Sequence, residues 1–455
     1  MALAPWIILA FLASLALIAF RHAREVRTGQ DFALAGRRLG PAVVIGTLVA
    51  TWIGTGSLFG NAEFTYEHGL AGFFLPLAGG AGILVLVLLA PRARKLEAES
   101  VPEILALRFG RSAQLLGAIA LIAAYLVIVS YQYRAGAAVA ARLFPGAHEG
   151  VLLIGFAAFI VLYTAIAGMI SVAWTDLLNG ILMAVGLLIA LAWAWRQWDP
   201  ELTPLPAELK QASGGEPPLA WVGFLLPAFL LVLGDANLYQ RFMSARSAGT
   251  ARRAAVGMLI GVIVMECVVI ALALLARLLL AEPPANPAHA IIDLAYTTLP
   301  PAIGILILAT ATAVIVTTAD SYLLGASTSV AVDLTAGLRS PARQRVIVIG
   351  LGLVALGLAY TSDRFFRVAL YAYTLYGASL TPAVLCALLR PATPGRAIVA
   401  GMGAGLGTAL AWKLLATQEM LPPALAGIDP VLPALLANLV ALVGVAVVVR
   451  VPAGE

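Results

Sequence analysis

Apolar runs of about 17 to 25 residues recur from one end of the chain to the other, and at about 1.5 Å per residue each can cross a hydrocarbon core about 30 Å thick. A chain built this way has few folds open to it. Inside a bilayer every backbone N–H and C=O must be satisfied within the protein, which leaves helical bundles and closed barrels. The alternating strands of a barrel, about ten residues each, are absent. The expected class is therefore an all-α polytopic membrane protein. Of 455 residues, 62% are hydrophobic and 11% charged, against roughly 25% charged in soluble domains. A soluble enzyme, a secreted disulfide scaffold and a single-span receptor are excluded.

The runs place helices at 3–20, 41–60, 68–90, 113–142, 150–168, 172–195, 219–237, 254–281, 301–332, 344–361, 366–390, 396–416 and 429–449, thirteen in all. The first has no basic leader and is followed by Arg21, Arg24 and Arg27, so it reads as an anchor rather than a cleaved signal. With the N-terminus outside and the C-terminus cytoplasmic, the loops assigned to the cytoplasm carry most of the 28 Lys and Arg, as the positive-inside rule requires of a cell-membrane protein. Beyond the last span only a few residues to Glu455 remain, and the expectation is a membrane function with no fused output module. Cys267 and Cys386 lie inside apolar runs, as small core hydrophobes do. The four histidines are scattered singly, with no HExxH or Cys/His spacing. No enzyme activity and no organic cofactor are expected. The net charge of +5 is spread over short loops, which argues against nucleic acid as a partner and leaves the lipid bilayer, ions and small solutes.

Two spans break the rules of membrane helices. Residues 46–60, GTLVATWIGTGSLFG, hold four glycines, which weaken helix continuity and let backbone carbonyls turn toward a cavity. Close packing by small residues explains the same glycines when that span is taken alone. A second irregular stretch, with Gly223, Pro227 and Gly234 leading to Asp235, begins about five spans later. Paired interruptions in two halves point to an inverted-repeat transporter. The run from Thr310 to Ser321 adds Thr317, Thr318, Asp320 and Ser321 to an apolar span. Such hard oxygens suit an alkali cation stripped of its water, although single hydroxyls in helices commonly bond back to their own backbone. Asp176 stands at the start of the sixth span, where helix capping is the competing reading. Arg134 and Glu266 are also placed inside spans, each costing about 2.5 to 3.5 kcal/mol if unpaired, and structural pairing is expected of both.

DFALAGR at 31–37, ATWIGTGSLFG at 50–60, VPEILALRFG at 101–110, LYTAIAGMISVAWTD at 162–176, YQRFMSA at 239–245 and TTADSYLL at 317–324 follow one another in an order that resembles the sodium/solute symporter family. The resemblance covers roughly 31–390. It implies a LeuT-like core of five plus five helices in inverted repeat, 41–195 and 219–390. Segment 1–40 precedes that core, loop 196–218 joins its halves, and two helices in 391–455 follow. It implies Na+ as coupling ion, bound by the carbonyls of Ala50, Ile53 and Val314 and the hydroxyls of Thr317 and Thr318. A further cation site or release path would use Asp176 with Thr317 and Ser321, and Asp320 falls among those positions. The central cavity would be lined by Trp52, Gly54, Gly56, Ser57 and Asp235, with Tyr131, Gln132, Tyr373 and Tyr376 as further candidates. For these aromatics and for Trp52 simple packing remains an alternative, as does, for Asp235, bonding to the exposed amides of the sixth core helix.

The expected function is sodium-coupled import of a small solute by alternating access. A cation–π contact from Trp52 and the carboxylate of Asp235 favour a solute with a positive nitrogen, an amino acid or amine. The first core helix also resembles the choline-transporting branch, but Asp235 stands where that branch carries a Trp. A neutral sugar, an organic anion, a channel and a transporter-like sensor remain the alternatives on sequence alone.

Overall fold

The computed structural model describes residues 3–335, 340–360, 365–422, 425 and 427–449. Among them there is no strand, only helices and one isolated bridge between Leu39 and Ala245. Twelve helical stretches are long and apolar enough to cross a membrane. In chain order the helices are α1 (Ala4–His22), α2 (Pro41–Trp52), α3 (Ala62–His68), α4 (Leu75–Lys95) and α5 (Arg111–Leu143). They continue with α6 (Glu149–Ile166), α7 (Gly168–Gln197), α8 (Pro218–Gly234), α9 (Ala236–Ser244) and α10 (Ala248–Leu279). The last five are α11 (Pro301–Ser329), α12 (Pro341–Leu358), α13 (Phe365–Leu389), α14 (Gly395–Thr417) and α15 (Val431–Val448). The count differs from the thirteen spans expected because α2, at 12 residues, is too short to cross alone. Its path continues through a wide turn at Gly56–Asn61 into α3. Residue 361 of the expected tenth span and the C-terminal residues from 450 on lie outside the described residues.

Local sequence explains the starts and breaks. Proline occupies the first turn of α2, α4, α8 and α11, where its missing N–H costs no helical bond. Between α6 and α7 the backbone of Gly168 takes φ 64° and ψ 171°, a conformation that strains any residue with a Cβ. There the chain turns back without a loop. From α2 to α7 and from α8 to α13 the chain makes five crossings each, and each set opens with an interrupted helix.

Helix α11 is the most enclosed, with 78% of its apolar window buried, whereas the corresponding figures for α1, α12 and α15 are 22%, 22% and 17%. It packs on α5, α6, α7 and α2. Its sequence is rich in Thr, Ser, Ala and Gly, so the most buried helix is also the one that presents the most hydroxyls. An apolar helix would bury as well in lipid or in protein, so burial of a polar one reflects its interior role.

Candidate functional site

The interruption of the first crossing frees particular carbonyls. In a continuous helix the Gly54 N–H would donate to Ala50 and the Ser57 N–H to Ile53. Here Gly54 N–H donates to the Trp52 carbonyl at 2.8 Å and Ser57 N–H to the Gly54 carbonyl at 3.1 Å. The Ala50 and Ile53 carbonyls, both expected as ion ligands, are thus released from the helical ladder. Across from them on α11, the Thr317 hydroxyl stands 3.4 Å from the Ala50 carbonyl and donates to the Val314 carbonyl at 3.1 Å. The Thr318 hydroxyl is buried and has no hydrogen-bond partner. It is held against Gly54, where an added Cβ would sit 2.7 Å from its oxygen. Two adjacent threonines therefore face the broken helix, one bonded to its own helix at Val314 and reaching the break only at 3.4 Å, the other with no partner among the described residues, beside two loosened carbonyls. That is a set of hard oxygens with unspent capacity, the donor chemistry of an alkali cation.

Immediately beside it lies a cavity of about 60 Å³. Its walls include Trp52, Gly54, Gly56, Ser57, Tyr131 and Tyr373, all expected from the sequence, together with Thr318. They also include Glu266 and Asn61, which the sequence reading did not place there. Trp52 lies edge-on to Gly79 of α4, whose missing Cβ would be 3.0 Å from the indole. The Glu266 carboxylate accepts from the Ser57 hydroxyl at 2.5 Å and from the Asn61 amide at 2.9 Å. The structural pairing expected for Glu266 is thus made with neutral donors on the broken helix. Arg134 is elsewhere, donating to the Ala359 carbonyl at 2.6 Å.

Asp235 does not line this cavity. Its carboxylate caps α9, accepting the Asn237 N–H at 2.9 Å, and is enclosed by the hydroxyls of Tyr125 and Tyr322, the latter at 3.2 Å. Tyr322 does reach the cavity wall, so Asp235 stands one layer behind it. Tyr376 likewise serves the break between α8 and α9. Its hydroxyl donates to the Gly234 carbonyl at 2.7 Å and accepts the Ala236 N–H at 3.0 Å. Gln132 is fully buried but points away from the cavity that its neighbour Tyr131 lines.

A second constellation lies further along α2 and α11, at Thr47 and Ser321. Asp176 is completely buried, and one carboxylate oxygen accepts from Thr47 at 2.5 Å, from Thr51 at 3.5 Å and from the Arg241 guanidinium at 3.0 Å. Arg241 is also fully buried and further donates to Thr47 at 2.8 Å, to the Asn237 side chain at 2.8 Å and to Ser321 at 2.5 Å. Ser321 in turn donates to Asp320 at 3.2 Å. The structure thus brings together the three residues expected here and adds a cation of its own among them. Arg241 sits inside the YQRFMSA stretch, yet nothing local marks it. Its partner Asp176 is 65 residues away in sequence, and only the fold joins them.

Comparison with known proteins identifies the family and the fold. The model of the sodium:solute symporter family matches residues 32–402. The sodium/proline symporter of Escherichia coli (strain K12) is 26% identical over 440 residues, covering 89% of this chain and 87% of that protein. The high-affinity proline transporter PutP of Bacillus subtilis (strain 168) is 25% identical over 421 residues, covering 86% and 88%. In fold, the chain superposes on a Na+-coupled sialic acid symporter in a substrate-bound outward-open state with a TM-score of 0.81, at 17% identity and 97% coverage of both chains. Mhp1, a nucleobase-cation-symport-1 family transporter in a closed conformation, gives a TM-score of 0.62 at 15% identity, covering 92% and 95%.

Proposed function

The chain belongs to the sodium:solute symporter family and is a sodium-coupled symporter of a small organic solute, and from that premise we propose that the solute is a small amino acid of the proline class. The relatives named as proline symporters align over most of their length, and the cavity is compact, with room for roughly four or five waters by the volume one water needs. The coupling sodium sits between the carbonyls of Ala50, Ile53 and Val314 and the hydroxyls of Thr317 and Thr318. The observation that carries this assignment is the buried, partnerless Thr318 hydroxyl facing a helix break whose carbonyls have lost their own donors.

Sodium in this position ties α2 to α11 and holds the cavity in its solute-ready form, so that the inward gradient drives uptake. A membrane potential contributes about 2.3 kcal/mol per charge per 100 mV, enough for roughly fifty-fold accumulation from one ion before its chemical gradient is counted. A single sodium per cycle is supported by the second constellation, where the guanidinium of Arg241 supplies positive charge between Asp176 and Ser321. Asp176, Asp320 and Ser321 then form the path by which the departing ion is drawn away. The division into repeats at 41–195 and 219–390, the outside N-terminus and the cytoplasmic C-terminus belong to the same reading, supported by the placement of the two interrupted helices and by the loop charges.

Uptake of labelled L-proline into proteoliposomes tests it. Accumulation is expected only with an inward sodium gradient, and replacing Thr317 and Thr318 together by Ala is expected to raise the half-saturating sodium by at least about tenfold. Unchanged sodium dependence in that variant overturns the ion assignment, and preference for a sugar or dicarboxylate overturns the solute class.

A further inference from the structure

We propose that Glu266 is the residue that receives the positive nitrogen of the solute, and that it sets the specificity of the cavity for ammonium-bearing molecules. The inference rests on the amino-acid reading above and deepens it by naming the recognising group. Among the described residues that line the cavity, Glu266 is the one with an ionisable acidic or basic side chain, apart from the tyrosines. It is buried, at 3% exposure, and its position is fixed by two elements: α10 carries it, and Ser57 and Asn61 of the broken first crossing hold both of its oxygens. Both donors are neutral. A carboxylate accepts about four hydrogen bonds, so capacity and charge remain for a donor from the cavity.

An isolated buried anion is costly unless something positive meets it. Within the cavity a solute that carries its own cation completes the pair, whereas an anionic solute would be repelled and a neutral one would leave the charge uncompensated. Trp52, Tyr131 and Tyr373 stand on the same walls, aromatic rings of the kind that attract a cation. Asp235 does not take this role, because it stands outside the cavity, behind Tyr322, where it caps α9. The neighbouring, larger recess shares Phe224 and Leu370 with the cavity and is lined by Glu63, Glu67, Glu216 and Asp429 against Lys413 and His68. An acidic approach of that kind favours cationic groups on their way in.

The test uses the full chain in nanodiscs, with sodium present, and a panel of unlabelled solutes. L-proline, glycine betaine and ethanolamine carry a positive nitrogen, while tetrahydro-2-furoate keeps the ring and carboxylate of proline without it, and D-galactose and lactate also lack it. The wild-type protein is expected to prefer the first group by at least about tenfold, through a charge-assisted hydrogen bond from the N–H of proline or ethanolamine and through charge attraction alone for betaine, whose nitrogen bears no hydrogen. Glu266→Gln is expected to abolish that preference by weakening the first group alone, with half-saturating sodium unchanged within about twofold, and Glu266→Asp to restore part of it. If proline fails to bind but betaine or ethanolamine does so in a Glu266-dependent way, the proline reading falls and this one stands. Equal loss of all solutes in Glu266→Gln, or a matching loss of sodium affinity, overturns it by making Glu266 a structural or ion-binding group. The wild-type comparison of proline with tetrahydro-2-furoate needs no variant: equal binding of the two, or no binding by any solute of the panel, overturns the proposal directly.

Discussion

Two carboxylates and one guanidinium share the buried constellation at Asp176, Asp320 and Arg241, and that imbalance makes a sharp prediction about their removal. Asp176 touches the guanidinium directly at 3.0 Å, and Asp320 reaches it through Ser321, with steps of 2.5 and 3.2 Å. Asp176→Asn keeps an oxygen able to accept from Arg241 but loses the charge, a difference of about 1 to 1.5 kcal/mol between charged and neutral hydrogen bonds. Asp320 then still balances Arg241. In Asp320→Asn the direct pair survives, and the cost is again about 1 kcal/mol. With both replaced, a fully buried guanidinium has no counter-charge, the situation that costs about 3 to 5 kcal/mol. The double variant is therefore expected to lose more than the sum of the singles, with a coupling of about 1 to 2 kcal/mol, well outside the roughly 0.5 kcal/mol within which independent sites add. SDS-titrated unfolding of the purified proteins, followed by tryptophan fluorescence, measures all four corners of the cycle. Additivity refutes the shared balance, and a single substitution as costly as the double assigns the whole counter-charge to that residue.

Gly54→Ala is expected to weaken sodium binding and to destabilise the fold by about 1 to 3 kcal/mol, because its Cβ would meet the Thr318 hydroxyl at 2.7 Å and push α11 from the broken helix; sodium titration beside a thermal scan separates the two effects. Outside the spans, burial and the nearby Arg142 hold the His289 imidazole down from its ordinary 6.5 to about 4. The unfolded chain therefore binds the extra proton between those values. Stability from this group is complete above pH 6.5 and is lost as pH falls toward 4, by at most about 3 kcal/mol, and His289→Gln is expected to flatten that slope in melting temperature.

What the sequence made legible follows from which interactions are local. Helix existence came from runs of apolar residues, and the break in the first crossing from glycines a few positions apart, so α2 and its interruption were readable in advance, whereas the carbonyls of Ala50 and Ile53 were named only through the family resemblance. Of the pair Tyr131 and Gln132 the structure brings Tyr131 to the cavity, a choice that the rotation of about 100° per residue leaves to the packing of α5. For Asp235 the structure takes the alternative reading, bonding to the exposed amides of the sixth core helix, for a local reason. An Asp followed two residues later by a free N–H is a helix cap first, and here the Asn237 N–H takes its carboxylate. Arg241 and Glu266 were hidden for the opposite reason. Their partners lie 65 residues away at Asp176, and 209 and 205 away at Ser57 and Asn61.

Those distant pairs divide the labour within the bundle. Arg241, carried by the segment beyond the second break, is tied to Thr47 on α2, Asp176 on α7 and Ser321 on α11. Glu266, carried by α10, is tied to the segment beyond the first break through Ser57 and Asn61. Each of these buried charges therefore spans an interrupted helix and a neighbour that is continuous, and the hydroxyls of Thr317 and Thr318, proposed as ion ligands, lie between the two. A cation entering at the hydroxyls and a positive nitrogen arriving at Glu266 would both act on the same broken helix, one through its carbonyls at Ala50 and Ile53 and the other through its side chains at Ser57 and Asn61. Coupling between ion and solute then needs no separate relay, because each ligand favours the one geometry of residues 50–61 that serves the other.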